Sequence, residues 1–112
     1  MNKVELYGRL TRDPKVETTT EGLKYVKFNI AVQRRFKNKE GDRDADFISC
    51  IAWEKTAENL AKLTHKGDRV ATVGHLQSRQ YEGQDGTPKY ALEIIVDELF
   101  IIDYKKTEEV DF

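Results

Sequence analysis

The chain has 112 residues and a mass of 13.0 kDa, room for one ordinary domain, which excludes two catalytic lobes or a cofactor domain beside a substrate domain. Hydrophobic residues make up 38% and charged residues 35%, with a mean hydropathy of −0.69: polar for a globular chain, yet too rich in Ile, Val and Leu runs for disorder. The formal charge of −1 hides an asymmetry, because residues 1–96 hold 17 Lys and Arg against 14 Asp and Glu while residues 97–112 hold 2 against 6.

From Asn2 to Leu10, Val4, Leu6, Gly8 and Leu10 share one parity and Lys3, Glu5, Tyr7 and Arg9 the other, the period-2 pattern of a half-buried strand. Thr11-Arg12-Asp13-Pro14 is a turn signal, and Thr18-Thr19-Thr20-Glu21-Gly22 another. Between them and the next loop, Leu23 to Phe36 reads as one long strand with Val26, Phe28, Ile30 and Val32 on one face. Lys37 to Asp44 is a charged loop. Ala45 to Trp53 is a third strand, with Phe47, Ser49, Ile51 and Trp53 on one face and Ile48, Cys50 and Ala52 on the other.

The period then changes. Thr56 as N-cap, Ala57, Leu60, Ala61 and Thr64 at helical spacing, Lys62, His65 and Lys66 in the last turn and Gly67 just past the end predict one helix of about three turns. Arg69 to Gln80 predicts a strand in which Gly74 marks a bulge or bend. Tyr81 to Lys89 predicts a hairpin loop, and Tyr90 to about Ile102 a last strand with Leu92, Ile94 and Val96 on one parity. Beyond Asp103 there is no periodicity, so the expected organisation is a domain over 1–103 and a short acidic tail over 104–112. The order β-β-β-α-β-β is that of an all-β, five-stranded OB-fold Greek-key barrel with one α-helix between strands 3 and 4. A ring this small fills with its own side chains, so a ligand has to bind the outer face or the loops.

Enzyme signatures are missing from the sequence. No GxxxxGK[ST], GxSxG or HExxH string occurs, and Cys50, His65 and His75 lack zinc-ligand spacing. Asp42, Asp44 and Asp46 imitate the opening of a calcium loop, but Phe47 stands where its Gly belongs and Trp53 where its Glu belongs, which leaves a solvated acidic loop. No catalytic residue, metal or cofactor is expected. No apolar run reaches the roughly 18 to 20 residues of a membrane span, Met1-Asn2-Lys3-Val4-Glu5 is no signal peptide, and one cysteine forms no internal disulfide; the expectation is a cytoplasmic protein without a membrane partner.

The informative constellation is aromatic and basic. Phe36, Phe47, Trp53 and Tyr81 lie on strands or at strand ends, with Arg34, Arg35 and Lys37 beside Phe36, Lys55 beyond Trp53 and Arg79 ahead of Tyr81. An aromatic on an amphipathic strand serves either as core or as a ligand platform. Ile48, Cys50 and Ala52 already supply an inward face, which argues for the platform at Phe47 and Trp53. Single-stranded nucleic acid uses both elements: unstacked bases stack on aromatic rings for roughly 1–3 kcal/mol each, and Lys and Arg follow the phosphates. The mildly basic body with an acidic appendage agrees with such a binder.

Asn2-Lys3-Val4-Glu5-Leu6-Tyr7-Gly8-Arg9-Leu10 with Asp13-Pro14, Phe28-Asn29-Ile30-Ala31 with Phe36, Trp53 with Ala57-Glu58, Lys66-Gly67, Gly74-His75-Leu76 and Arg79-Gln80-Tyr81 resemble the bacterial and phage single-stranded DNA-binding family, in unbroken order from residue 2 to about 102. The resemblance implies an OB-fold, usually a homotetramer, that coats single-stranded DNA without sequence preference in replication, recombination and repair. It implies base stacking on Phe36, Phe47, Trp53 and Tyr81 and phosphate contacts from Lys55, Lys66 and Arg79, to which charge and proximity add Arg34, Arg35 and Lys37. Ser49 departs from the pattern where the family can carry a basic residue, implying one phosphate contact fewer.

The family pattern continues through a long linker to an acidic tip ending in an apolar residue, which recruits replication or recombination proteins. Here Glu108-Glu109-Val110-Asp111-Phe112 follow the domain directly, and these five residues are the candidate partner-binding tail. The alternatives are an OB-fold RNA-binding or primosome accessory protein, or a scaffold recruiting partners through that tail. The expected setting is the bacterial cell or nucleoid, or the host cytoplasm for a phage protein.

Overall fold

Val4–Leu10 forms β1, and its alternation is as expected: Gly8 and Leu10 are buried, while Glu5, Tyr7 and Arg9 face solvent. The structure is a computed structural model and describes residues 1–103. The remaining strands are β2 (Glu17–Thr18), β3 (Lys24–Gln33), β4 (Ala45–Trp53), β5 (Arg69–Glu82) and β6 (Pro88–Ile101), with α1 (Glu54–Leu63) between β4 and β5.

Five long strands pair in a ring. β1 lies antiparallel to β5, β5 to β6 and β3 to β4, β4 runs parallel to β6, and Arg9 and Leu10 of β1 close the circuit on Ala31 and Ile30 of β3. This is the all-β OB-fold order expected from the sequence, with the helix between the third and fourth long strands. The closure depends on Gly8, because a Cβ there would collide with the Ala31 carbonyl oxygen and the Ile30 side chain. Inside the ring, Leu10, Val26, Phe28, Ile30, Cys50, Ala52, Val70, Ile94 and Val96 form one core, and Ala57 and Leu60 of α1 cover its end.

Several boundaries differ from the sequence reading. β2 is an extra two-residue strand, paired to β3 through Glu17↔Tyr25 and Thr18↔Lys24, too short to leave a periodic signal. The long second strand stops at Gln33 instead of Phe36, because the Arg34 N–H already bonds across the loop base to the Asp44 carbonyl. The helix begins at Glu54 with Trp53 as N-cap, so Thr56 lies inside it. Glu54 takes a left-handed φ of 53°, and its carboxylate accepts the Lys24 N–H, which fixes this abrupt strand-to-helix corner.

Downstream, Thr64 caps the helix, and His65 and Lys66 belong to the following turn, where Gly67 donates its N–H to the Leu10 carbonyl. The β5–β6 hairpin is longer and its loop shorter than expected. Tyr81 pairs with Lys89 and Glu82 with Pro88, leaving a loop over 83–87 closed by the Gly83 N–H to the Thr87 carbonyl. The irregularity expected at Gly74 is a bulge. Gly74 pairs with Val96 and Val73 with Glu98, so Asp97 is the extra residue. A Cβ at Gly74 would strike the Ile95 carbonyl oxygen, which is why glycine sits there.

Candidate nucleic-acid interface

Cross-strand register determines what shares the outer face. Along β3 and β4 the pairs of the outer parity are Tyr25↔Trp53, Lys27↔Ile51, Asn29↔Ser49 and Ala31↔Phe47, and of these residues Ile51 is buried. Trp53 and Phe47 therefore stand at opposite ends of one face, six residues and roughly 20 Å apart at the usual strand rise. Phe47 is 68% exposed beside the small Ala31, and Trp53 is 37% exposed with one ring face against Tyr25, centroids 5.3 Å apart and tilted by 42°. The outward orientation argued from alternation holds for both rings.

Phe36 and Tyr81 flank this face. Phe36, 80% exposed, lies in the 34–44 loop with the Arg35 guanidinium 5.9 Å from its centroid. Tyr81, 45% exposed, is near the tip of the β5–β6 arm, with the Arg79 guanidinium 6.0 Å from its ring. Arg79 reaches the centre of the face, where it lines a groove of about 210 Å³ with Arg12, Lys27, Asn29, Ser49 and Glu93. Ser49 donates its hydroxyl to the Asn29 side-chain oxygen at 3.2 Å, so a polar pair occupies the position where a cation was looked for.

The predicted cations differ in what holds them. Arg34 makes a salt bridge of 2.9 Å to Asp46, and that hydrogen bond raises its pKa further; its charge serves the loop base. Arg79 is partly compensated by Glu93 at 3.6 Å. Lys37 and Lys55 are exposed, Lys55 in the first turn of α1 just after Trp53. Lys66 is exposed in the turn after α1, and its backbone N–H bonds Asp13, the neighbour of Arg12 on the groove rim. Asp42 and Asp44 also serve the loop: Asn38 accepts the Asp42 N–H and donates to Asp44.

Sequence reasoning missed Arg12, Lys27 and Tyr25. Lys27 and Tyr25 follow once β3 is registered against β4, since they alternate with the buried Val26 and Phe28; Arg12 sits in a turn with no periodic signal. Burial pushes the Cys50 thiol up to about 12, which keeps it protonated and unreactive. Among the described residues no group of three or more His, Cys, Asp or Glu converges as a metal site, and no helix is long and apolar enough to cross a membrane. The tail residues Glu108, Glu109, Val110, Asp111 and Phe112 lie outside the described residues.

Residues 1–102 match the model of the single-strand binding protein family. The chain is 44% identical over 108 residues to a single-stranded DNA-binding protein of Oceanobacillus iheyensis, covering 96% of this chain and 67% of that one. It is 44% identical over 109 residues to one of Lactiplantibacillus plantarum, covering 97% and 54%, and 43% identical over 108 residues to single-stranded DNA-binding protein 1 of Lactococcus lactis, covering 96% and 72%. It thus spans between about half and three quarters of the length of these three relatives. With the ring of strands and the exposed aromatics, these matches establish that the chain belongs to the single-strand binding protein family.

Proposed function

We propose that this chain binds single-stranded DNA without sequence preference and coats and protects it during replication, recombination and repair, catalysing nothing and needing no cofactor. The observation that carries the reading is the row of solvent-facing rings, Phe47 and Trp53 on the sheet with Phe36 and Tyr81 flanking it, interleaved with cations. Bases stack on the rings, and Lys27, Arg12, Arg79, Lys55, Lys66, Arg35 and Lys37 follow the phosphates; stacking accepts any base because every base has a π-face.

The working unit is a homotetramer. Support comes from the outer face of β1, β5 and β6, where Tyr7, Ala71 and Phe100 form one cross-strand row and Ile102 lies just beyond; Tyr7, Phe100 and Ile102 are exposed. An apolar sheet face of this kind fits a second copy of the chain. Linking several modest sites raises avidity through effective concentration, which suits a subunit of mild positive charge. The bacterial relatives support a setting in the bacterial cytoplasm or nucleoid.

The test is quenching of Trp53, the only tryptophan, by oligo(dT), oligo(rU) and duplex DNA. Saturable quenching by oligo(dT), weaker by oligo(rU) and absent with duplex, is the expected result. Preference for oligo(rU) transfers the site to RNA, and no response to any of them, with no binding in a direct assay, overturns the reading. Partner recruitment by Glu108–Phe112 is tested by deleting Asp111 and Phe112, which is expected to abolish binding of replication or recombination proteins and leave DNA affinity equal or higher.

A further inference from the structure

A second cleft, of about 570 Å³, lies one step further round the ring from Phe47. Its floor is made of small residues, Gly8, Ala31 and Ala45, and its rim carries Arg9, Arg43 and Arg69. Arg69 is neutralised by Asp103, which it grips through its guanidinium at 2.6 Å while also donating to the Tyr7 hydroxyl at 3.2 Å. Arg9 and Arg43 are different. Arg9 spends one N–H on the Gly67 carbonyl at 2.9 Å, Arg43 spends donors on the carbonyls of Arg34 and Arg35, and among the described residues neither forms an ion pair. Arg9 feels the Asp103 carboxylate without bonding it, and each guanidinium has N–H donors left over in a planar array suited to a phosphate.

Two connections tie this cleft to the aromatic face. Ala31, on its floor, is the cross-strand partner of Phe47. Arg43, on its rim, is held by the backbone segment that leads directly into Phe36. The cleft thus lies between the roots of two stacking rings, next to where a strand stacked on Phe47 leaves the β3–β4 face.

We propose that this cleft binds phosphates of the same single strand, with Arg9 and Arg43 as the contacting residues. The inference rests on the DNA-binding reading above and extends the strand's path beyond the β3–β4 face towards β1. Tyr7, which borders both the cleft and the apolar face of β1, β5 and β6, places this stretch of the path at the edge of the surface a second subunit would cover.

The experiment titrates Trp53 fluorescence of the full chain with oligo(dT) across a salt series, comparing the parent with an Arg9→Gln, Arg43→Gln double variant. The log–log salt slope is expected to fall by about 1.4, about 0.7 per lost contact, with saturating quench unchanged and the slope restored in an Arg9→Lys, Arg43→Lys variant. Arg43→Gln alone, on an exposed loop, reports a drop of about 0.7 if the double variant does not fold. An unchanged slope and affinity overturn the proposal. It is equally overturned if hexaglutamate binds the parent and not the variant while the DNA slope stays the same, since the cleft then takes an acidic peptide. Failure of the parent itself to bind oligo(dT) overturns the DNA reading instead of the path.

Discussion

Tyr25 and Trp53 are directly opposed across β3 and β4, and their tilted contact covers one side of the indole. Only the other side is open to a base. Trp53→Ala is expected to cost roughly 1–3 kcal/mol of single-strand affinity with the fold retained, because the ring is not part of the core. Tyr25→Ala should weaken binding less, through loss of the backing that orients the indole. Isothermal titration with oligo(dT), with circular dichroism to check folding, measures both; global unfolding of the Trp53 variant would place the ring in the core.

Among the described residues Glu93 is the one carboxylate lining the central groove, and it holds Arg79. Glu93→Gln frees the guanidinium and removes a charge that repels phosphate. Affinity for oligo(dT) should rise by at least about 0.2–1 kcal/mol, the range of an exposed ion pair, since the Glu93 side chain is only 14% exposed, and its salt dependence should steepen. Arg79→Ala should do the reverse, flattening the slope by about 0.7. Equal slopes in all three proteins would remove Arg79 from the phosphate path.

The Arg69–Asp103 pair makes stability depend on pH in the acid range. Hydrogen bonds from Arg69 hold the Asp103 carboxyl down at about 2, below its ordinary value of 3.8. A group depressed on folding stabilises fully above its unfolded pKa and loses that contribution as pH falls through the folded one. The stability advantage of the parent over Asp103→Asn should therefore be constant above about pH 4 and close between there and about pH 2. Urea melts at three pH values decide it; a gap that persists at the lowest pH would assign the effect to packing.

Gly8→Val should destabilise the protein by about 1–3 kcal/mol or more, because the added side chain enters the space of the Ala31 carbonyl at the point where β1 closes on β3. Thermal denaturation measures it. A stability unchanged from the parent would mean that the β1–β3 closure has slack.

The alternation of Val26, Phe28 and Ile30 and of Cys50 and Ala52 was legible because each strand turns one side to the core, and it turned Phe47 and Trp53 outward correctly, although Ile51 on the same parity is buried. What the sequence hid was set by pairing across the fold. Phe36 left its strand because Arg34 and Asp44 close the loop base, and the hairpin lengthened because Gly83 and Thr87 close its tip. Helix initiation at Trp53 escaped notice because Glu54 adopts a left-handed backbone that its residue type does not advertise. Arg9 and Arg43 escaped for a related reason: they are far apart in the chain, each unremarkable on its own strand or loop, and only the closure of the ring brings them to one cleft.

The bulge at Asp97 also sets how this chain tolerates changes of length. On β5 the inward parity runs unbroken through Val70, Thr72 and Gly74, but on β6 it passes from Ile94 and Val96 to Leu99 and Ile101 by skipping a residue. Deleting Asp97 would therefore only straighten the bulge, keeping Leu99 and Ile101 inward and Phe100 outward, whereas deleting a paired residue of β5 such as Ala71 would act as a frameshift in space, sending Thr72 outwards and Val73 towards the core. The loop over 83–87, by contrast, lies beyond the last pair of the ladder, so residues gained or lost there leave every face unchanged. Single-residue deletions should therefore be accepted at the arm's tip and at the bulge itself, and rejected within the paired stretch of β5 that faces it.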